Sequence, residues 1–203
     1  IKCLWSAEEA FDFDGQFFQG TKLWSQPKPL QSPHPPIMNA GSSSAGQNFS
    51  ARHADMSFVM LRQQDDESDA AQISRLKMLA ADRGRSSQCW IHVYVVCRDT
   101  EEEAHDYLNH YVMEKGDNVA VANMLEIFGL QSETLTPEVI EAFKFHFKAG
   151  HGGYPLVGTP AQIVDGVEHL SSLGVEGMLI SWVDYLGECQ QWIDEVLPLM
   201  EQA

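Results

Sequence analysis

Basic side chains are scarce in this chain. Lysine and arginine together number 13 against 29 aspartates and glutamates, a formal charge of −16 at pH 7. So acidic a chain excludes non-specific nucleic-acid binding, which needs a basic footprint. Long apolar runs are also absent. No stretch of about eighteen apolar residues exists, so no membrane-spanning helix is expected. Cysteine is sparse, and Cys3, Cys89, Cys97 and Cys189 lie far apart, with no Cys-x-x-Cys pair and no zinc-ligand spacing. That pattern predicts reduced thiols in a cytoplasmic protein, with no metal site. The histidines and carboxylates show no ligand spacing either. An initial methionine and a signal-peptide profile are missing too, since the apolar opening from Ile1 to Trp5 is short and acidic residues follow. The chain reads as starting inside an element, which predicts a fragment of a longer protein.

What is present suits a folded α/β domain. With 44% hydrophobic and 10% aromatic residues, a chain of 203 can bury a core as one sizeable domain or a large piece of one. Residues 8–18 alternate aromatic and acidic side chains around Gly15, which predicts an extended segment or hairpin. Five prolines in 26–36 (QPKPLQSPHPP) exclude a helix or central strand there and predict a connector. Short apolar runs predict strands at 37–40, 55–61, 90–97 and 177–183, with 62–69 as an acidic loop. Helices are expected over 70–83, 100–115, 160–173 and 187–202, the last kinked or shortened by Pro198. Two further helices, 118–129 and 137–148, follow the third strand, and 150–158 reads as a second glycine-rich loop. Strand–helix alternation of this kind predicts a parallel sheet. Right-handed crossovers then bring the loops 41–46, 62–69, 98–99 and 184–187 to one end, where ligands bind in α/β folds.

The stretch that organises the rest is 35–54, PPIMNAGSSSAGQNFSARHA. A short strand runs into a turn of small residues and then into a helix start. Glycine permits close approach of a ligand to the backbone, and serine hydroxyls beside free helix amides favour an anion such as phosphate. A plain serine N-cap explains the same residues, and the residues alone leave both readings open. The Gly41-x4-Gly46 spacing is not a nucleotide P-loop, because Gln47 and Asn48 stand where lysine and a hydroxyl residue are required. No Gly-x-Gly-x-x-Gly fingerprint occurs here either.

Three stretches together resemble the luciferase-like flavin-dependent monooxygenases. They are 4–18 (LWSAEEAFDFDGQFF), 35–58 (PPIMNAGSSSAGQNFSARHADMSF) and 152–200, with GGYPLVGTPAQIVDGVEHLSSLGVEGMLISWVDY and EVLPLM. The resemblance is to the alkanesulfonate, dimethylsulfone and pyrimidine monooxygenase branch. It implies a (β/α)8 TIM barrel of which this chain holds only the C-terminal half. On that reading 37–203 supplies four βα units, strands five to eight, with a helical insertion after strand seven, and 1–36 is a connector within a single partial domain. A complete barrel needs about 250 residues or more. The absent half would carry several flavin contacts.

The resemblance further implies FMN, bound as FMNH2 supplied by a separate flavin reductase, molecular oxygen as co-substrate, and oxygenation of a small organosulfur or heterocyclic molecule. The family's phosphate-binding serine, in Ala-Gly-x-Ser-x-Ala-Gly, aligns with Ser43, and Gly41, Ser42 and Ser44 flank it. The loop 150–158 aligns with a mobile active-site segment. Alkanesulfonate enzymes carry an arginine there; Gly153 and Tyr154 depart from that pattern. His151 and Tyr154 are the candidate catalytic proton donors, although residues so placed are more often exposed loop polars. His53 reads as packed or solvent-facing, and His92 and Trp182 as core. A homo-oligomer is expected of the complete enzyme. Two alternatives stand: a non-catalytic half-barrel that binds FMN or phosphate or serves as a structural or interaction remnant, and a plain α/β protein whose serine turn only caps a helix.

Overall fold

A computed structural model of the chain describes residues 1–61, 65–127 and 136–200. Two compact units divide it, Ile1–Ile37 and Met38–Ala203.

The first unit holds helix α1 (Lys2–Ser6) and the strands β1 (Phe11–Asp14) and β2 (Gln19–Leu23). The aromatic–acidic alternation forms an antiparallel hairpin, with Phe13 opposite Gly20 and Asp14 opposite Gln19. Its turn is closed by the Gly15 N–H donating to the Phe18 carbonyl at 2.9 Å. The proline-rich segment takes no helix or strand. Lys28 anchors it, donating to the Leu4 carbonyl at 2.8 Å and lying 4.1 Å from the centre of the Trp24 ring.

In the second unit the elements are β3 (Met38–Asn39), α2 (Ser44–His53), β4 (Met56–Val59), α3 (Asp66–Ala81), β5 (Gln88–Cys97) and α4 (Glu101–Asn109). A π-turn, His110–Glu114, extends α4. Then come α5 (Asn118–Ile127), α6 (Pro137–Gly150), β6 (Tyr154–Gly158), α7 (Pro160–Ser172), β7 (Gly177–Ser181) and α8 (Tyr185–Gln191). After α8 the chain winds into a π-turn and a 3-10 turn, Leu197–Leu199, which contains Pro198. Proline has no N–H to continue the α ladder, so the shortening expected of it is observed. Residues 128–129 and 201–202 of the predicted helices, and 62–64 of the predicted loop, lie outside the described residues.

All five described strands of this unit are parallel. The strand at 154–158 corrects the sequence reading, which took 150–158 as one loop. Only its first part is loop; Tyr, Leu and Val in YPLVG favour the pleated conformation. Pro155 is tolerated because β6 pairs with β5 alone among the described strands, so proline's missing N–H can face a free edge. A second correction concerns α3, which begins at Asp66 rather than near residue 70. The Asp65 carboxylate accepts from the Ser68 N–H at 2.7 Å, and Asp66, Glu67 and Asp69 fill the first turn. There the helix dipole favours the negative charges that made the segment look like a loop.

Register shows how the sheet is laid out. Strand β5 has three partners but only two edges. Both β4 and β7 pair with Trp90 and Ile91, so they lie on opposite edges. Strands β6 and β7 both pair with Val93 and Tyr94, so they also lie on opposite edges. Hence β4 and β6 follow one another along a single edge, and β5 passes His92 where β4 has ended and β6 has not begun.

The two faces of the sheet differ sharply. Ser57, Cys89, Ile91 and Val93 point to one face and are buried. There Ile73 of α3, Ile163 and Leu170 of α7, and Trp192 and Val196 after α8 complete the core. On the other face paired residues put Met38 beside Met56, Phe58 beside Trp90 and His92 beside Leu179. Apolar as it is, that face stays partly open, with Met38 42% and Leu179 57% exposed. The end of β5 packs instead on the insertion: Tyr94 and Val96 meet Ala104, Leu108, Val112 and Ala149.

Candidate cofactor and substrate site

Parallel strands bring the ends of β3, β4, β5 and β7 to one side of the sheet, and the serine turn leads from β3 on that side. Asn39 closes the strand by accepting the Gly41 N–H on Oδ1 at 2.9 Å. The two glycines then pass so closely that a Cβ on Gly41 would stand 2.7 Å from the Gly46 Cα, and the reverse holds equally. No larger residue fits either place. Ser43 is the N-cap of α2, and its Oγ accepts the Gly46 N–H at 3.1 Å. Both readings of the turn are therefore compatible. The cap uses the hydroxyl as acceptor, which leaves its O–H to donate outward. The amides of Ser44 and Ala45, in the first turn, have no intrahelical acceptor. Ser42, Ser43 and Ser44 are exposed beside them.

Helix α2 is aimed by its buried side. Ser50 Oγ lies 2.8 Å from Ser57 Oγ, which lies 3.1 Å from Ser87 Oγ, a buried hydroxyl chain from α2 through β4 to the approach of β5. Ala51 and Ala54 are buried. Phe49 is not; it stays exposed, its ring 4.9 Å from that of His53.

The second part of the site is a cavity of about 120 Å³ in the gap between β4 and β6. One wall is Phe58, Val59, Met60 and Leu61, and Ile91 and His92 of β5 form its floor. His151, Gly152 and Tyr154 close the opposite side. Tyr154 is the first residue of β6 and not, as its sequence suggested, on a loop. His151 ends α6 in the left-handed conformation, φ 54° and ψ 32°, with its ring centre 5.3 Å from that of Phe147. The Gly152 N–H reaches back to the His146 carbonyl at 3.0 Å, a Schellman-type stop that delivers both residues to the cavity.

His92 is the residue that sequence reasoning left in the core. It is half-buried, with Nε2 at 2.9 Å from Ser181 Oγ on β7. Ser181 has a second contact, donating to the Val93 carbonyl at 3.4 Å, so it accepts from His92 Nε2–H. Nδ1 is then an acceptor, and Gly153 leaves room for it: a Cβ there would stand 3.0 Å from Nδ1. Burial, and after it the neighbouring His151, lowers the His92 pKa, which keeps the ring neutral. Burial raises the Tyr154 phenol, with Asp66 and Asp69 adding to the shift. The signal for His92 was its alternation with Ile91 and Val93, which shows that it faces away from them but not which face is covered.

Other candidates have structural places. Trp182 meets Tyr185 and Trp192 edge to face, as a core tryptophan. Asp184 caps α8 by accepting the Leu186 N–H at 3.1 Å. Burial pushes the Cys89 and Cys97 thiols up to about 11, so neither is a nucleophile at neutral pH. Among the described residues no group of histidine, cysteine and carboxylate side chains could hold a metal ion, and no helix is long and apolar enough to cross a membrane.

Known proteins share this layout. The FMNH2-dependent dimethylsulfone monooxygenase of Pseudomonas putida is 29% identical over 213 aligned positions, covering all of this chain and 56% of that protein. A crystal structure of riboflavin lyase with modified FMN and riboflavin superposes with a TM-score of 0.75 at 23% identity, over 94% of this chain and 48% of that one. EDTA monooxygenase from Chelativorans sp. BNC1 gives 0.73 at 16% identity, over 98% and 56%. The chain thus spans about half the length of the curated relatives it matches, and its parallel strands are part of a luciferase-like TIM barrel. The luciferase-like monooxygenase family model matches residues 1–177, and the chain belongs to that family.

Proposed function

We propose that this chain supplies the phosphate grip and one wall of the substrate site of an FMNH2-dependent two-component monooxygenase acting on a small organic molecule. The observation that carries the reading is the α2 N-terminus, where two glycines in mutual contact expose three serines and the first-turn amides at the ligand end of a parallel sheet. That donor set fits a phosphate dianion. The FMNH2 dependence named for the Pseudomonas relative supports the choice of flavin.

Reduced flavin, when bound, supplies the activation of molecular oxygen. The chain's own residues do the rest. Ser44 and Ala45 amides and the Ser43 hydroxyl hold the phosphate, helped by the positive end of the helix dipole. Phe58, Met60 and Leu61 line the cavity with apolar surface and exclude water. His92 keeps its proton on Nε2 against Ser181 and offers Nδ1 as an acceptor. His151 and Tyr154 stand at the same cavity as candidate proton donors. The working partners are a flavin reductase and a cytoplasmic pool of reduced flavin. The complete enzyme is a homo-oligomer.

The test is titration with FMN and with riboflavin, which lacks the phosphate. Ser43→Ala is expected to weaken FMN binding about 10-fold or more, the loss of a hydrogen bond to a charged group, and to leave riboflavin unchanged. Ser43→Asp keeps the cap and should abolish FMN binding by charge repulsion. FMN binding that ignores both substitutions sinks the assignment. A second reading, a half-barrel that binds without catalysis, is favoured by the partly open apolar face. Turnover on adding reductase and substrate separates the two.

A further inference from the structure

We infer that the outward face of α3 pairs with the same face of a second copy of this chain, the two helices running antiparallel about a two-fold axis. The inference rests on the homo-oligomer part of the function proposed above and on none of its chemistry; it adds the surface.

The inner face of α3 is committed to the core through Ile73, Leu76 and Ala80. Its outer face leaves Glu67, Ala71, Ser74, Arg75, Met78 and Ala81 exposed, and their three- and four-residue spacing makes one stripe. Shape is the first reason to pair it with itself. Met78, 62% exposed, is a ridge between two grooves of about 320 and 380 Å³. One groove runs beside Ala70, Ser74 and Leu173, the other beside Ala71, Ser74 and Asp82. A ridge and a groove on one patch are what a two-fold contact uses. The small side chains at 70, 71 and 74 let a second helix come close.

Charge is the second reason. Acids fill the first turn of α3, and Arg75 and Lys77 lie in its second half. Asp66 is matched by His169 at 3.0 Å and Lys77 by Glu176 at 3.0 Å. Glu67 and Arg75 have no such partner among the described residues. Eight residues, about 12 Å, separate them along the helix, too far for them to pair with each other. An antiparallel copy brings them together. With Ala71 of one helix against Ser74 of the other, each Arg75 stands opposite Ala70, one turn or about 4.5 Å along the axis from the opposing Glu67. The symmetry makes that ion pair twice, and each Met78 lies along the other copy's groove at Ala71. A helix of 16 residues is about 24 Å long, so the contact is smaller than a standard interface, and the association is weak and salt-sensitive.

Sedimentation velocity over a concentration series tests this, in a chain carrying Met38→Lys and Leu179→Lys so that the open sheet face does not contribute. A monomer–dimer equilibrium is expected, weakening as salt is added. Glu67→Arg or Arg75→Glu alone should weaken dimerisation about 10-fold, through two repulsive contacts per dimer. These two variants move the net charge in opposite directions, so net charge cannot account for a loss common to both. Combining them should restore dimerisation, which a folding defect would not allow. Dimerisation that ignores all three variants overturns the inference and leaves the homo-oligomer reading standing, with its contact elsewhere. A chain that stays monomeric, with or without the two lysines, overturns both.

Discussion

His151 holds a backbone conformation that suits glycine, and it does so at the wall of the cavity. A non-glycine residue in the left-handed region carries roughly 1–2 kcal/mol of strain, and helices that end this way usually place glycine there. Such strain persists where a side chain is wanted. We predict that His151→Gly raises stability by about 1 kcal/mol in urea unfolding while weakening ligand binding in the cavity. Unchanged or lower stability would show that the imidazole's contact with Phe147 outweighs the strain, and the functional argument for His151 would lose its support. The candidate residues themselves were legible to different degrees. Ser43 was reached through the family motif, and a serine cap nearby was already legible because a helix cap is local chemistry. His92 could not, since its significance depends on Ser181 some ninety positions later.

At the level of elements, the end of β7 is held by one carboxylate. Glu188 on α8 accepts the Val183 and Asp184 N–H groups on Oε2 at 3.0 and 2.8 Å. Its Oε1 receives Arg98 at 2.9 Å, and that guanidinium lies 3.9 Å from the centre of the Tyr107 ring. The cluster joins the exits of β5 and β7 to α4 and thereby seats Ser181 against His92. Glu188 is 8% exposed, so its removal strips two amides and leaves a largely buried cation. We predict a loss of about 3 kcal/mol for Glu188→Ala, with Glu188→Gln losing less because an amide oxygen still accepts the two N–H groups. Equal losses for the two variants would show that the charge, and not the backbone capping, is what matters. Most elements were readable beforehand, because strands and helices follow local apolar periodicity. The exceptions are instructive: β6 hid behind glycines and a proline, and the first turn of α3 hid behind its acids.

For the molecule as a whole, the second unit carries a sheet with one covered and one partly open apolar face. Its outer strands β3, β6 and β7 each pair with a single neighbour among the described strands. Apolar surface and free edges in this arrangement promote association. We predict that the isolated chain binds Nile red and sediments faster as its concentration rises. Met38→Lys together with Leu179→Lys should reduce both effects while changing stability by no more than about 0.5 kcal/mol each, as at other exposed sites. A monomer at every concentration that binds no dye would mean that the open face is satisfied within the chain.

Sequence alone determined the class of the fold, four of its parallel strands and the family, and it left a serine cap on α2 as one of two readings of the turn. These rest on local periodicity, on turn chemistry and on motifs read within short windows. Tertiary structure decided that β4 and β6 share one edge of β5, that a cavity therefore opens beside His92, and that Phe49 is exposed while Ser57 is buried. Register between distant strands sets those features, and register is a property of the assembled sheet that no single segment encodes.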